Sequence, residues 1–204
     1  MKEVILASGS ENRRKLMESL GVPFRVVTSN IDEQEIQDTD PLLKVEKIAQ
    51  AKAHAVKGFT SGIIIAADTI SIYNGKEYPK PTSKDDARRM LRGLSGQNGM
   101  AITGVCILDI ETQKEILSHT IVNMSCEEMS DEEINVYVEN KPVTEWAAAY
   151  NPLDELSLKY FHPIGEYLYK LEYYGLGIDI LLIELRKAGF VINEGKLKAK
   201  NNEN

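Results

Sequence analysis

Near its start the chain reads Ser8-Gly9-Ser10, followed closely by Arg13, Arg14 and Lys15. A tight loop of small residues presents backbone N–H groups and two hydroxyls, and a helix beginning there adds its positive end, so the segment suits a phosphate group. A guanidinium would complete the cradle, because its planar fork of donors matches two phosphate oxygens at once. The one cation that faces the loop is the natural choice. The same residues would also make an ordinary serine cap with a solvated basic face, so the loop alone does not decide. A second feature is Asp68-Thr69, a polar pair directly after the wholly apolar segment Gly62–Ala67. Such a segment is the kind a sheet buries on both faces, which places the pair at a strand exit.

Other chemistries fall away on spacing. No G-x-x-x-x-G-K-[ST] phosphate loop occurs, and Gly93-x-x-Gly96-x-x-Gly99 lacks the spacing of a dinucleotide fingerprint. Gly93-Leu94-Ser95-Gly96-Gln97 has Gln97 where a nucleophile elbow needs glycine. His54, His119 and His162 are too dispersed to form a metal-ligand pair, and Cys106 and Cys126 lack zinc-site spacing.

These residues need elements to hold them. Val4–Ala7 reads as a strand, with a helix capped by Ser10, carrying Leu16, Met17 and Leu20, and stopped by Gly21. Phe24–Val27 reads as a second strand. Asp40-Pro41 opens a longer helix running to Gly58, with Lys52 among Ala49, Ala51, Ala53 and Ala55. Asn74-Gly75 signals a hairpin, and Lys80 lies in a stiff extended segment between Pro79 and Pro81. Thr82 or Ser83 caps a helix that ends near Gly93. Met100–Ile110 and Ile116–Met124 read as paired strands, Ser130-x-x-Glu133 as a capping box, and Ile178–Ala188 with Gly189 as a last amphipathic helix. Strands and helices alternate, giving an α/β expectation.

The 204 residues suffice for one large domain or two tight lobes; hydrophobic residues are 43% and charged residues 27%, as in ordinary globular chains. Lys plus Arg total 24 against 31 Asp plus Glu, for a net charge of −7. Without a diffuse positive field, nucleic acid is not the expected partner, and an anion must be held by a local cationic site. No apolar run approaches the ~20 residues needed to span a bilayer, and the opening residues lack the apolar stretch of a secretory signal. Two cysteines make no disulfide framework, so a reducing cytoplasm is expected. The polar segment 193–204 is expected to stand outside a core formed by residues 1–192.

Five short motifs carry a likeness. Leu6-Ala7-Ser8-Gly9-Ser10-x-x-Arg13, Ala51-Lys52-Ala53, Ala67-Asp68-Thr69, Lys80-Pro81 and Leu94-Ser95-Gly96 followed by Thr103-Gly104 resemble the Maf family in order and spacing. The resemblance is dense from Met1 to about Gly104 and thins beyond it. It implies an elongated mixed sheet with flanking helices, in two lobes around a central cleft, related to the inosine triphosphatase fold. It implies a nucleoside triphosphate pyrophosphatase that cleaves between the α- and β-phosphates with Mg²⁺ or Mn²⁺, in the cytoplasm, as a homodimer with no membrane attachment. Residue by residue, it makes Ser8, Ser10 and Arg13 a phosphate loop, Asp68 the activator of water, and Glu33 with Asp68 the metal carboxylates. Lys52 and Lys80 become cations for the triphosphate, and Thr69 a selector of substrate.

The chain also departs from the pattern. Asn12 stands where the pattern has the first arginine of Ser-Pro-Arg-Arg, Gly99 where a histidine follows Leu-Ser-Gly, and Leu153 in place of the glutamine in the Lys-Ala-Gly-x-Tyr-x-x-Gln-Gly stretch matched by Trp146–Asp154. Substrate contacts at Asn12 and Leu153 are therefore expected to differ from those of characterised branches. Two other readings stay open: a nucleotide-binding regulator of cell division without turnover, and a purine pyrophosphatase of the inosine and xanthosine triphosphatase type.

Overall fold

The structure is a computed structural model and describes residues 2–59, 61–151, 154–164 and 175–191. The expected tail 193–204 and Leu153 lie outside the described residues. The described residues divide into two compact units: those within 2–69, 103–120 and 175–191 form the first, and those within 70–102 and 121–164 the second. The divisions fall inside three long strands, and the sheet order is β2-β1-β3-β5-β6-β7, with β4 pairing β3.

In the first unit, β1 (Val4–Leu6) runs parallel to both β2 (Arg25–Val26) and β3 (Ile63–Tyr73), with Val4 opposite Ile63 and Leu6 opposite Ile65. Side chains alternate across a strand, so a run apolar at every position must be covered on both faces. One face, with Val4, Leu6, Ile63, Ile65, Ala67, Val105 and Ile107, meets Leu16, Met17 and Leu20 of α1 (Glu11–Leu20) and Leu181 and Leu185 of α6 (Ile178–Lys187). The other, with Ile5, Ala7, Ile64, Ala66, Cys106 and Leu108, meets Ala49, Ala53 and Val56 of α2 (Pro41–Val56). Small residues on α2 let helix and sheet approach closely. One close approach of α2 to the sheet is at Gly104 of β5 (Asn98–Asp109), where a Cβ would stand 2.3 Å from the backbone carbon of Val45.

Asp68 and Thr69 were expected at a strand exit, and here the structure corrects the sequence reading: β3 continues through them to Tyr73. Thr69, Ile70 and Ile72 are β-branched and keep the pleat, so the polar pair does not end the ladder. The hairpin at Asn74 and Gly75 follows only then, both with positive φ (49° and 70°), leading into β4 (Lys76–Glu77).

In the second unit, α3 (Lys84–Leu94) is capped by Ser83, and α4 (Asp131–Asn140) by the Ser130–Glu133 box with both of its bonds formed. β6 (Lys114–Cys126) returns after β5, and its end pairs antiparallel with β7 (Phe161–Pro163), which follows α5 (Glu155–Tyr160). The Tyr150 and Phe161 rings stack at 3.9 Å.

Candidate functional site

Strand alternation sorts the polar pair. Thr69 shares the parity of Ile65 and Ala67 and so faces the α1 side, whereas Asp68 shares that of Ile64 and Ala66 and faces α2. Two adjacent residues thus reach two helices.

On the α1 side, Ser10 caps the helix by accepting from the Arg13 N–H at 3.5 Å, and the Ser10 N–H donates to Ser8 Oγ at 3.2 Å. One turn in, Arg13 folds back under the loop. Its Nη1 donates to Ser8 Oγ at 3.1 Å, Nη2 to Thr69 Oγ1 at 3.0 Å, and Nε to the carbonyl of Gly175 at 2.9 Å. Arg13 is 9% exposed, and among the described residues all these partners are neutral oxygens. Burial lowers its pKa below the usual guanidinium value, a shift opposed by the charges of Asp68 and Glu33. A buried cation held by neutral groups keeps its charge available to an anion. Arg14 and Lys15 instead pair with Glu11 on the exposed face of α1.

On the α2 side, Lys52 is 7% exposed. Its Nζ donates to Asp68 Oδ1 at 2.7 Å and lies 2.8 Å from Glu33 Oε1. Glu33 opens a short 3-10 turn (Glu33–Glu35) capped by Asp32, and its side chain is half exposed while those of Lys52 and Asp68 are not. Two carboxylates therefore converge on one ammonium, and their oxygens lie no farther apart than these two distances together. Among the described residues no group of three or more His, Cys, Asp or Glu could hold a metal ion. A pair of hard oxygen donors nonetheless fits Mg²⁺ or Mn²⁺, which take one or two carboxylates and complete their shell with water and substrate phosphate.

The first unit thus brings together Ser8, Ser10, Arg13, Thr69, Glu33, Lys52 and Asp68. Asn12 is half-buried on α1 beside them in sequence. Lys80 belongs to the second unit, exposed next to buried Pro81. Its segment is fixed from the Trp146–Tyr150 stretch, where the Ala148 N–H donates to the carbonyls of Tyr78 and Pro79, both at 3.1 Å. Ala148 holds φ 54°, a left-handed conformation that glycine adopts more readily than alanine. Gly99 has no room for a histidine: a Cβ there would stand 2.4 Å from the carbonyl oxygen of Ile72 and 2.5 Å from the Tyr73 ring.

Two contributors were missed by the sequence reading as site residues. Thr103 was seen only as part of a motif, yet its hydroxyl lies 2.9 Å from that of Thr69. Gly175 was given no site role; its positive φ (73°) and bare Cα let its carbonyl meet Arg13, since a Cβ would stand 2.8 Å from Thr69 Oγ1. The cysteines are excluded as nucleophiles, because burial pushes the thiols of Cys106 and Cys126 up to about 12.

A family model for Maf-like protein matches residues 3–186. The chain belongs to the Maf-like protein family. It is 38% identical over 180 residues to the dTTP/UTP pyrophosphatase of Alkaliphilus oremlandii (strain OhILAs), covering 84% of this chain and 93% of that protein. It is 34% identical over 188 residues to the dTTP/UTP pyrophosphatase of Bacillus anthracis, covering 92% and 96%. Among solved structures, the Staphylococcus aureus Ham1 protein aligns with a TM-score of 0.45 at 14% identity, over 62% of this chain and 73% of that one. The α/β class of this Maf-like chain rests on its own strands and helices. No helix among the described residues is long and apolar enough to cross a membrane.

Proposed function

We propose that this Maf-like protein is a nucleoside triphosphate pyrophosphatase, hydrolysing its substrate to the monophosphate and pyrophosphate. The observation that carries the reading is the split at Asp68-Thr69: Thr69 holds a buried guanidinium with neutral partners, and Asp68 belongs to a buried lysine–carboxylate cluster. The first arrangement suits a polyphosphate and the second suits preparation of water. The relatives named dTTP/UTP pyrophosphatase support pyrimidine nucleotides as the first substrates to try.

In this reading Ser8, Ser10 and Arg13 bind the polyphosphate, and Lys52 and Lys80 add cations. Asp68 accepts a proton from the water that attacks the α-phosphorus. The new P–O bond forms as the bond to the bridging oxygen breaks, and pyrophosphate departs with the electron pair. Mg²⁺ or Mn²⁺ held by Glu33 and Asp68 would neutralise charge on the phosphates. Thr69, Asn12 and Leu153 are assigned to substrate selection. We read the protein as cytoplasmic, in keeping with its two free thiols, and as a homodimer, which light scattering on the purified chain tests.

The test is a panel of canonical and modified triphosphates with metal, followed by pyrophosphate release. Asp68→Asn is expected to lower turnover by about 10³, within the range for losing a general base, while nucleotide still binds. Turnover unchanged in Asp68→Asn contradicts the assignment of Asp68. Binding without hydrolysis of any nucleotide by the wild type would favour a non-catalytic regulator.

A further inference from the structure

We infer that Thr103 is a positioning residue for substrate selection, acting through Thr69; the inference rests on the proposed nucleotide-binding role of the site. Thr103 lies in β5, is 3% exposed, and has the same parity as Val105 and Ile107, so it faces the α1 side with Thr69. Its Oγ1 lies 2.9 Å from Thr69 Oγ1, which already accepts from Arg13 Nη2 at 3.0 Å.

A threonine hydroxyl has one proton and two lone pairs. Either hydroxyl of the pair can donate; once a ligand oxygen draws the Thr69 proton, Thr103 is left to donate to Thr69, whose two lone pairs then serve Arg13 and Thr103. With Arg13 pulling electron density from the same oxygen, that proton becomes a stronger donor, suited to an anionic or carbonyl oxygen of a nucleotide. Gly175 keeps the place narrow, because any Cβ there would run into Thr69 Oγ1. Without Thr103 that second lone pair loses its donor, and the ligand-facing hydroxyl loses the partner that holds it in place.

An ordinary cross-strand threonine pair would share this geometry and serve only the sheet. The two roles separate by experiment. Thr103→Val keeps shape and strand preference while removing the hydroxyl, and Thr103→Ser restores it. With UTP and Mg²⁺, Thr103→Val is expected to raise KM about tenfold with kcat changed less than about threefold, the size of one lost hydrogen bond to a polarised group. Thr103→Ser is expected to return KM to within about twofold of wild type, and Thr69→Val/Thr103→Val to be no worse than Thr69→Val alone. A Thr103→Val protein that melts earlier but keeps the wild-type KM overturns the inference, as does a double variant whose losses simply multiply. Calorimetric binding of an α,β-methylene analogue of UTP gives the same comparison without turnover. A wild type that binds this analogue but hydrolyses nothing therefore removes the proposed activity and still leaves Thr103 under test: a weakened Kd in Thr103→Val supports the inference, and an unchanged Kd overturns it.

Discussion

At the residue scale, the site is organised by what each buried charge has beside it. Asp68 is compensated by Lys52, whereas Arg13 is held by hydroxyls and a carbonyl, so one charge has a direct ion-pair partner and the other is held by neutral oxygens. This asymmetry predicts different consequences for removing the two cations. Lys52→Met leaves a buried carboxylate without its partner and is expected to cost about 3–5 kcal/mol in urea unfolding, with much of the loss recovered in Lys52→Met/Asp68→Asn. Arg13→Lys keeps a charge but loses the fork that reaches Ser8, Thr69 and Gly175. It is expected to lower kcat/KM for a nucleotide by about 10²-fold while costing less stability than Lys52→Met, read from initial rates and urea unfolding.

At the scale of elements, the strand pleat does most of the placing. β3 is buried on both faces, and its alternation delivers Asp68 to α2 and Thr69 to α1, while Gly104 on β5 lets α2 sit close enough for Lys52 to reach. Gly104→Ala drives a Cβ into the Val45 backbone and is expected to destabilise by about 1–3 kcal/mol, with loss of activity from a displaced Lys52. In the second unit, the Glu133 carboxyl is held at about 2 against 4.5 when free, first by the Ser130 backbone N–H and then by Lys159, Tyr160 and the Ser130 hydroxyl. A depressed carboxyl contributes stability that is whole above its unfolded pKa and lost as pH falls through the folded one. Unfolding midpoints should therefore fall between about pH 4.5 and 2, and Glu133→Gln should flatten that limb. Much of this was legible beforehand. The Ser10 and Ser130 caps, the Gly21 stop, the Asn74-Gly75 turn and the two-faced apolar strand were readable because each depends on neighbours in sequence. The continuation of β3 past Ala67 was not, since a polar pair reads locally as an end and only packing from both sides keeps the strand going. Thr103 and Gly175 were hidden for a related reason: their partners lie 34 and 162 residues away along the chain.

At the scale of the whole molecule, a net charge of −7 repels polyanions at long range, so the proposed binding of a nucleotide rests on local cations, the buried Arg13 and Lys52 among them, and on metal carried with the substrate. Family membership, through relatives spanning most of the chain, supports the proposed nucleotide substrate, and the convergence of Glu33, Lys52 and Asp68 supports the proposed local site. The most direct measurement is phosphorus NMR of the products formed from UTP and dTTP with Mg²⁺. The account predicts nucleoside monophosphate and pyrophosphate in equal amounts. Nucleoside diphosphate with orthophosphate, or intact triphosphate after prolonged incubation, would contradict it.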